Sequence, residues 1–245
     1  MKTADYLTIL ESGDLEVQGL LPWSSNYTFM VRVCLNDHEV EAVYKPRRGE
    51  RPLWDFAQGT LCQRERAAFV VSDALGWHLV PPTVLRQGPN GIGSVQLFVN
   101  HDPERHYFTF EGASEFRTIL QKFVLLDLLI NNADRKSGHV LLEEQNEETQ
   151  AQRLWAIDHG ICFHTEYKLR TVIWEFAGQP IPTELLKELI TFQQILTTHS
   201  VLQNQLQILL SKAEINALKK RLQAVISQGT FRKPGPGRHY PWPPV

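Results

Sequence analysis

The stretch Glu115–Asn131, EFRTILQKFVLLDLLIN, constrains the fold more than any other part of the chain. Its apolar residues Phe116, Ile119, Leu120, Phe123, Val124, Leu126 and Leu128 recur at helical spacing and cover most of the circumference. A helix that is apolar nearly all round has no face to give to water, so it has to be the buried centre of a helical layer. Ser114 is a good N-cap for it. The run is too short to cross a bilayer, and Asp127 cuts it.

Upstream of this helix the pattern is strand-like. Glu16–Leu21 and Tyr27–Leu35 flank the turn Pro22–Asn26, and Asn36-Asp37 offers a hairpin turn into Glu39–Lys45, which Pro46 ends. Gln63–Leu75 reads as a helix closed by Gly76. Two more strands follow Pro81-Pro82 and Gly88–Gly93, the second being Ser94–Val99. Downstream, His139–Leu142 and Arg153–Asp158 read as a hairpin with the polar tip Glu143–Gln152. Thr183 caps a helix over Glu184–Leu196, and Ser211-Lys-Ala-Glu214 is a capping box for a helix ending near Gly229. The tail RKPGPGRHYPWPPV cannot be helical and runs extended, with Tyr240 and Trp242 packing it against the helices. The expected fold is therefore α+β: a strand-rich lobe over 1–100, a helical lobe with one hairpin over 101–229, and an extended tail over 230–245. The joining segment is Gln96–Glu104, and the two lobes enclose a cleft where a ligand would bind.

Composition narrows the function classes. A net charge of −2 gives no general attraction to nucleic acid. No segment reads as transmembrane or as a signal peptide. Three cysteines, odd in number and with no C-x-x-C pair, argue against a disulfide framework or a zinc site and suit a reducing cytoplasm.

A few polar residues could carry chemistry. In EVEAVYKP the period of two places Val43 and Lys45 on one face. Such a lysine is commonly a surface residue with its stem laid on apolar neighbours; alternatively it holds a phosphate, with Val43 against a base. Glu65, on the Gln63–Leu75 helix, could orient that lysine or could be solvated between Arg64 and Arg66. Asp134, in NNADRKSGH after the buried helix, suits the carboxylate that accepts a proton from an attacking hydroxyl. Asn131, Asn132 and Asp134 also suit an ordinary turn. His139 and the Asp158 of AIDHG stand where metal ligands would follow, and each has a plain reading as a hairpin or turn residue. The ordered series lysine, glutamate, linker, Asp-Arg loop, hairpin and Ile-Asp-x-Gly is harder to obtain by chance than any member alone.

AVYKP (42–46), GSVQLFV (93–99), NNADRKSGHVLL (131–142) and AIDHG (156–160) together resemble the phosphatidylinositol 3-/4-kinase superfamily, most closely its type II phosphatidylinositol 4-kinase branch. They are similar as well to the HipA-type bacterial kinases. Over its whole length, including YPWPPV, the chain resembles a bacterial family related to these kinases. The likeness implies a two-lobed protein-kinase-like fold that binds ATP and Mg²⁺ in the interlobe cleft. It implies that Lys45 contacts the nucleotide phosphates, that Glu65 pairs with it, and that Gln96, Phe98 and Val99 line the adenine pocket beside Val43, largely through backbone groups. Asp134 would be the catalytic aspartate, Arg135 would support its loop, and Asp158 would be the principal metal ligand. Two departures stand out. The phosphate-covering turn PWSSNYTF has no glycine, leaving Ser24, Ser25 and Asn26 to offer N–H groups and hydroxyls. His139 replaces the family's second metal ligand, an asparagine, which would favour Mn²⁺, leave one metal site, or mark a weakened enzyme. The expected activity is phosphoryl transfer to a hydroxyl of a protein, a small molecule or an inositol lipid. The alternatives are a nucleotide-binding pseudokinase acting as an interaction module, or transfer of AMP.

Overall fold

The computed structural model of the chain describes residues 1–21, 26–144 and 152–245. Five strands build one antiparallel sheet: β1 (Asp14–Leu20), β2 (Phe29–Leu35), β3 (His38–Pro46), β4 (Thr83–Gly88) and β5 (Gly91–Leu97), in the order β1-β2-β3-β5-β4. Asn36 takes the left-handed conformation (φ 53°) that the β2–β3 hairpin turn requires. Along β3 the alternation is clear. Val40, Ala42 and Tyr44 are buried, while Val43 and Lys45 face the other way and are half-buried. β5 begins at Gly91 rather than Ser94, because Gly93 lies so close to Lys45 and Pro46 of β3 that a β-carbon there would sit 2.5 Å from the Lys45 carbonyl.

Two helices accompany the sheet. α1 (Thr3–Ser12), ahead of the first expected strand, buries Ile9 and Leu10 against Val31, Val33, Ala42 and Val95. α2 (Leu61–Ala74) carries Glu65. The second lobe holds α3 (Tyr107–Phe110), α4 (Arg117–Ile130), the hairpin β6 (Val140–Leu142) and β7 (Leu154–Ala156), then α5 (Thr183–Thr198), α6 (Ser200–Leu209) and α7 (Lys212–Gln228). α4 is the buried centre that its pattern requires: every residue from Phe123 to Ile130 is buried.

Three expectations about helix ends and the tail are corrected. Ser114 opens a 3₁₀ turn over Ser114–Phe116, so Phe116 precedes α4. Pro182, not Thr183, is the residue before α5; its φ of −52° prepares the entry. Tyr240 and Trp242 are 52% and 78% exposed, so they do not pack the tail. The capping box of α7 is present: the Ser211 N–H donates to Glu214 Oε2 (2.8 Å) and the Glu214 N–H to Ser211 Oγ (3.3 Å), with Gly229 (φ 61°) closing the helix. Most of the expected hairpin tip, residues 145–151, lies outside the described residues.

Candidate active site

The loop after α4 is built from the helix outward. Asn131 takes the left-handed conformation (φ 55°) that ends α4, and its side-chain amide donates to the carbonyls of His164 (2.9 Å) and Glu166 (2.6 Å). Asp127, the single acid in α4, accepts two bonds from Arg135, at Nε (2.9 Å) and Nη2 (3.0 Å), and one from Asn132 Nδ2 (2.9 Å). Both members of this ion pair are at most 2% exposed. The rest of the guanidinium donates to the carbonyls of His139 (2.9 Å) and Ile157 (2.8 Å) and to His159 Nε2 (2.7 Å). Arg135 thus binds the loop, β6 and the residues after β7 to one buried charge. Its donors are engaged inside the protein, behind the cleft.

Asp134 projects forward from this frame. Its N–H donates to Asn132 Oδ1 (3.0 Å), and its carboxylate lies 3.9 Å from Lys136 Nζ. Burial pushes its carboxyl up to about 6, against the pull of Lys136. The backbone carbonyl of Asp134 is 2.9 Å from His139 Nδ1, and this contact fixes the imidazole. A carbonyl can only accept, so Nδ1 carries the proton and Nε2 carries the lone pair. The Lys136 N–H is 3.4 Å from the same nitrogen, too long to compete. Burial lowers the His139 pKa to about 4 although Asp158 opposes it, so the ring is neutral. Its Nε2 lone pair then faces Asp158 Oδ2 at 3.4 Å with no proton to share.

Asp158 follows β7 in a left-handed conformation (φ 60°), a strained backbone of the kind found at functional sites. Lys45 reaches it from β3: Nζ is 3.0 Å from Asp158 Oδ1 and 2.5 Å from Glu65 Oε1. Burial disfavours the lysine's charge, but Asp158 and Glu65 outweigh it and hold the pKa above the ordinary lysine value. Lys45 in turn holds the Asp158 carboxyl well below the usual carboxylate range, while burial lifts that of Glu65. Glu65 is 3% exposed, and its other oxygen accepts the His159 N–H (2.9 Å). The helix that carries Glu65 is anchored through the neighbouring residue. Arg64 donates to the Cys162 carbonyl (2.7 Å) and to Glu214 Oε1 on α7 (2.5 Å).

Lys45, Glu65, Asp134, Lys136, His139 and Asp158 line one cavity of about 150 Å³ together with Asn26. That is room for the reacting end of a ligand and not for a whole nucleotide. The other expected binding residues lie elsewhere. Val43 sits opposite Gln96 in the β3–β5 ladder. Gln96 pairs with Thr83 on its other side and donates its side-chain amide to Thr83 Oγ1 (2.8 Å), so both its backbone and its amide are used within the sheet. The Phe98 N–H is given to the Glu41 carbonyl (3.0 Å), and the Val99 carbonyl is 2.8 Å from His101 Nδ1. Val99 joins Leu141, Trp155 and Ile157 in a small apolar cluster under this segment. Asn26 accepts the Arg51 N–H (2.8 Å), which ties the end of its turn to the residues after β3. Ser24 and Ser25 lie outside the described residues.

Sequence reasoning missed Asp127, Asn132, Lys136 and the Arg64–Glu214 pair. Asp127 was visible as a lone acid in an apolar helix, and a buried charge demands a partner. Asn132 and Lys136 act within the loop itself, through how it closes, and only the Arg64–Glu214 pair depends on docking between segments far apart in sequence.

His139 Nε2 and Asp158 Oδ2 lie 3.4 Å apart at the cavity. Two lone-pair donors lie side by side, one of them anionic, with Asp134 on the same wall. Among the described residues no group of three or more His, Cys, Asp or Glu side chains is placed to hold an ion, so any cation here would complete its shell with ligand oxygens and water. The nitrogen donor suits Mn²⁺ better than Mg²⁺.

Comparison with known proteins bears on the family and the fold. The family model for phosphatidylinositol 3- and 4-kinases matches residues 85–222. Protein Rv2133c of Mycobacterium tuberculosis is 36% identical over 98% of this chain and 95% of its own length. Phosphatidylinositol 4-kinase gamma 4 of rice (Oryza sativa subsp. japonica) is 32% identical over 54% of this chain, a span of 24% of the rice protein. Among solved structures, the Golgi casein kinase with Mn/ADP bound superposes with a TM-score of 0.58 at 17% identity, over 92% of this chain and 74% of that one. The Helicobacter pylori proinflammatory kinase CtkA gives 0.53 at 11% identity, over 91% and 94%. These structural likenesses establish the two-lobed kinase-like fold.

Proposed function

The chain belongs to the phosphatidylinositol 3- and 4-kinase family, and from that premise we propose that it is an ATP- and divalent-metal-dependent phosphotransferase acting on a hydroxyl. The observation that carries this reading is the meeting of Lys45, Glu65 and Asp158 within 3.0 Å, with Asp134 and His139 on the same cavity. The Golgi casein kinase, which shares the fold, was solved with Mn/ADP.

In this reading the nucleotide phosphates lie against Lys45, which Glu65 keeps aimed into the cleft. The base lies beyond the cavity, over Val43 and along Phe98 and Val99. Asp158 and His139 would hold the cation, Mn²⁺ or Mg²⁺, which would supply neutralisation of the charge on the phosphate oxygens. Asp134 receives the proton of the acceptor hydroxyl as its oxygen bonds to the γ-phosphorus and the bridging oxygen leaves with ADP. A carboxyl with a pKa near 6 is ionised at neutral pH and can still hold that proton briefly. Arg135 and Asp127 keep Asp134 in place. Preorganised charge supplies most of the rate. Among the described residues no helix is long and apolar enough to cross a membrane, and the acceptor is a hydroxyl of a protein, a small molecule or an inositol lipid.

ATP hydrolysis and transfer, measured with Mn²⁺ and with Mg²⁺ over a panel of such acceptors, test this reading. Wild type should exceed Asp134→Asn by at least about 100-fold, within the range for loss of a general base. Equal rates for the two proteins with both metals would leave a nucleotide-binding pseudokinase as the better description.

A further inference from the structure

The closing segment docks through its main chain rather than its aromatic rings. Tyr240 and Trp242 are exposed, and Pro241 between them is buried. From Gly229 onward the chain is fixed at three places in turn. Phe231 is 2% exposed; its N–H donates to the Gln179 carbonyl (2.9 Å), and its carbonyl accepts the Gly178 N–H (2.9 Å). The Thr171 N–H donates to the His239 carbonyl (2.9 Å), and the His239 ring meets Trp174 edge-on at 6.3 Å. Last, the Ser137 N–H donates to the Pro244 carbonyl (2.9 Å). The residues that donate are buried: Thr171 is 1% exposed and Ser137 0%.

These contacts reach the loop that carries Asp134. The Arg135 N–H donates to the Arg170 carbonyl (2.9 Å), the Val172 N–H to the Arg135 carbonyl (3.1 Å), and the Arg170 N–H to the Asn132 carbonyl (2.9 Å). The Asp134 loop, residues 170–172 and the tail therefore lie side by side, joined by main-chain bonds, with the tail outermost.

We propose that residues 238–245 are a strap that positions the catalytic loop, setting the rate of the chemical step more than the affinity for nucleotide. Buried N–H groups are almost always bonded, so without the tail those of Ser137 and Thr171 must open to water. Ser137 is three residues from Asp134. Lys45 and Glu65 are held by each other, and Lys45 by Asp158; among the described residues neither bonds to the strap, and Asp158 joins the Asp134 loop through Ile157 and His139. Three prolines in the last five residues restrict the free tail, so docking it loses little conformational freedom.

The kinetic part of this proposal rests on the phosphotransferase reading, and the experiment separates the two. Residues 238–245 are deleted, and amide hydrogen exchange and steady-state kinetics are compared with the full chain. The deletion should raise exchange at least tenfold in 132–139 and 169–172 and leave 42–47 unchanged. It should lower kcat at least tenfold and raise KM for ATP by a smaller factor, because Lys45 and Glu65 make no bond to the strap while His139 lies in the loosened stretch. Adding the peptide HYPWPPV at millimolar concentration should restore both. If the deletion does not fold, Pro241→Asp in the full chain provides a milder disruption with the same expected pattern. Unchanged exchange at 132–139 overturns the strap. Raised exchange with unchanged kcat overturns its positioning role. Raised exchange, reversed by peptide, in a protein whose full chain shows no transfer leaves the strap standing and sinks the phosphotransferase reading.

Discussion

Replacing Asp127 by alanine tests the frame behind the active site. The residue is 1% exposed and accepts three hydrogen bonds, two from Arg135 and one from Asn132. Its loss leaves the Arg135 guanidinium, itself 0% exposed, with two carbonyls and an imidazole nitrogen but no counter-charge. Removing one member of a buried ion pair costs about 3–5 kcal/mol, because the survivor stays buried and uncompensated. For a chain of this size each kcal/mol lowers Tm by about 2–4 °C, so a drop of roughly 6–20 °C is expected. Urea denaturation and calorimetry read this directly. The double variant Asp127→Leu with Arg135→Met removes both charges and should cost clearly less than Asp127→Ala alone. At a temperature where Asp127→Ala is fully folded, its transfer rate should still fall, since Asn132 and Arg135 flank Asp134. A cost below about 1 kcal/mol, within the range for an exposed pair, would refute the reasoning. So would a double variant no better than the single one.

Three further outcomes follow from the same geometry. Asp134 has a pKa raised from 3.8 to about 6, so the folded chain holds a proton that the unfolded chain has already lost; stability therefore falls as pH rises between about 4 and 6. In EDTA at pH 7.5, Asp134→Asn should stabilise the protein by on the order of 1–2 kcal/mol, a gain that should vanish below pH 4, although with metal present it lowers transfer. His139→Asn replaces the nitrogen donor with an oxygen and should shift the ratio of Mn²⁺- to Mg²⁺-supported activity towards Mg²⁺ at least tenfold, whereas an unchanged ratio would remove His139 from the metal site. Arg64→Ala and Glu214→Ala should each lower ATP affinity by releasing α2, and their combination should cost little more than either alone, as expected for coupled residues.

The fold was legible where periodicity carries it. The apolar circumference of α4, the alternation of β3 and the Ser211–Glu214 box each follow from local rules, and each is present. So was the order of the polar residues that meet in the cleft, since Lys45 had to face away from Val40, Ala42 and Tyr44. What local rules could not supply was docking. Nothing in the proline spacing of RHYPWPPV distinguishes a tail held by its rings from one held by its carbonyls, and here Ser137 and Thr171 needed acceptors. Gln96 looked available in a linker, but β5 lies between β3 and β4 and consumes it. The tautomer of His139 depends on the carbonyl of Asp134, a contact set by how the loop closes over Arg135. α1 was missed because its apolar residues serve the sheet and not one another.

The central claim is that one cleft holds nucleotide and metal between Lys45 and the His139–Asp158 pair, with Asp134 acting only on the acceptor. Isothermal titration of ATP with Mn²⁺ into wild type, Asp158→Asn and Asp134→Asn tests it most directly. Saturable binding by wild type, kept by Asp134→Asn and weakened at least tenfold in Asp158→Asn, is the predicted result. Binding that is equal in all three proteins, or absent from wild type, would contradict it.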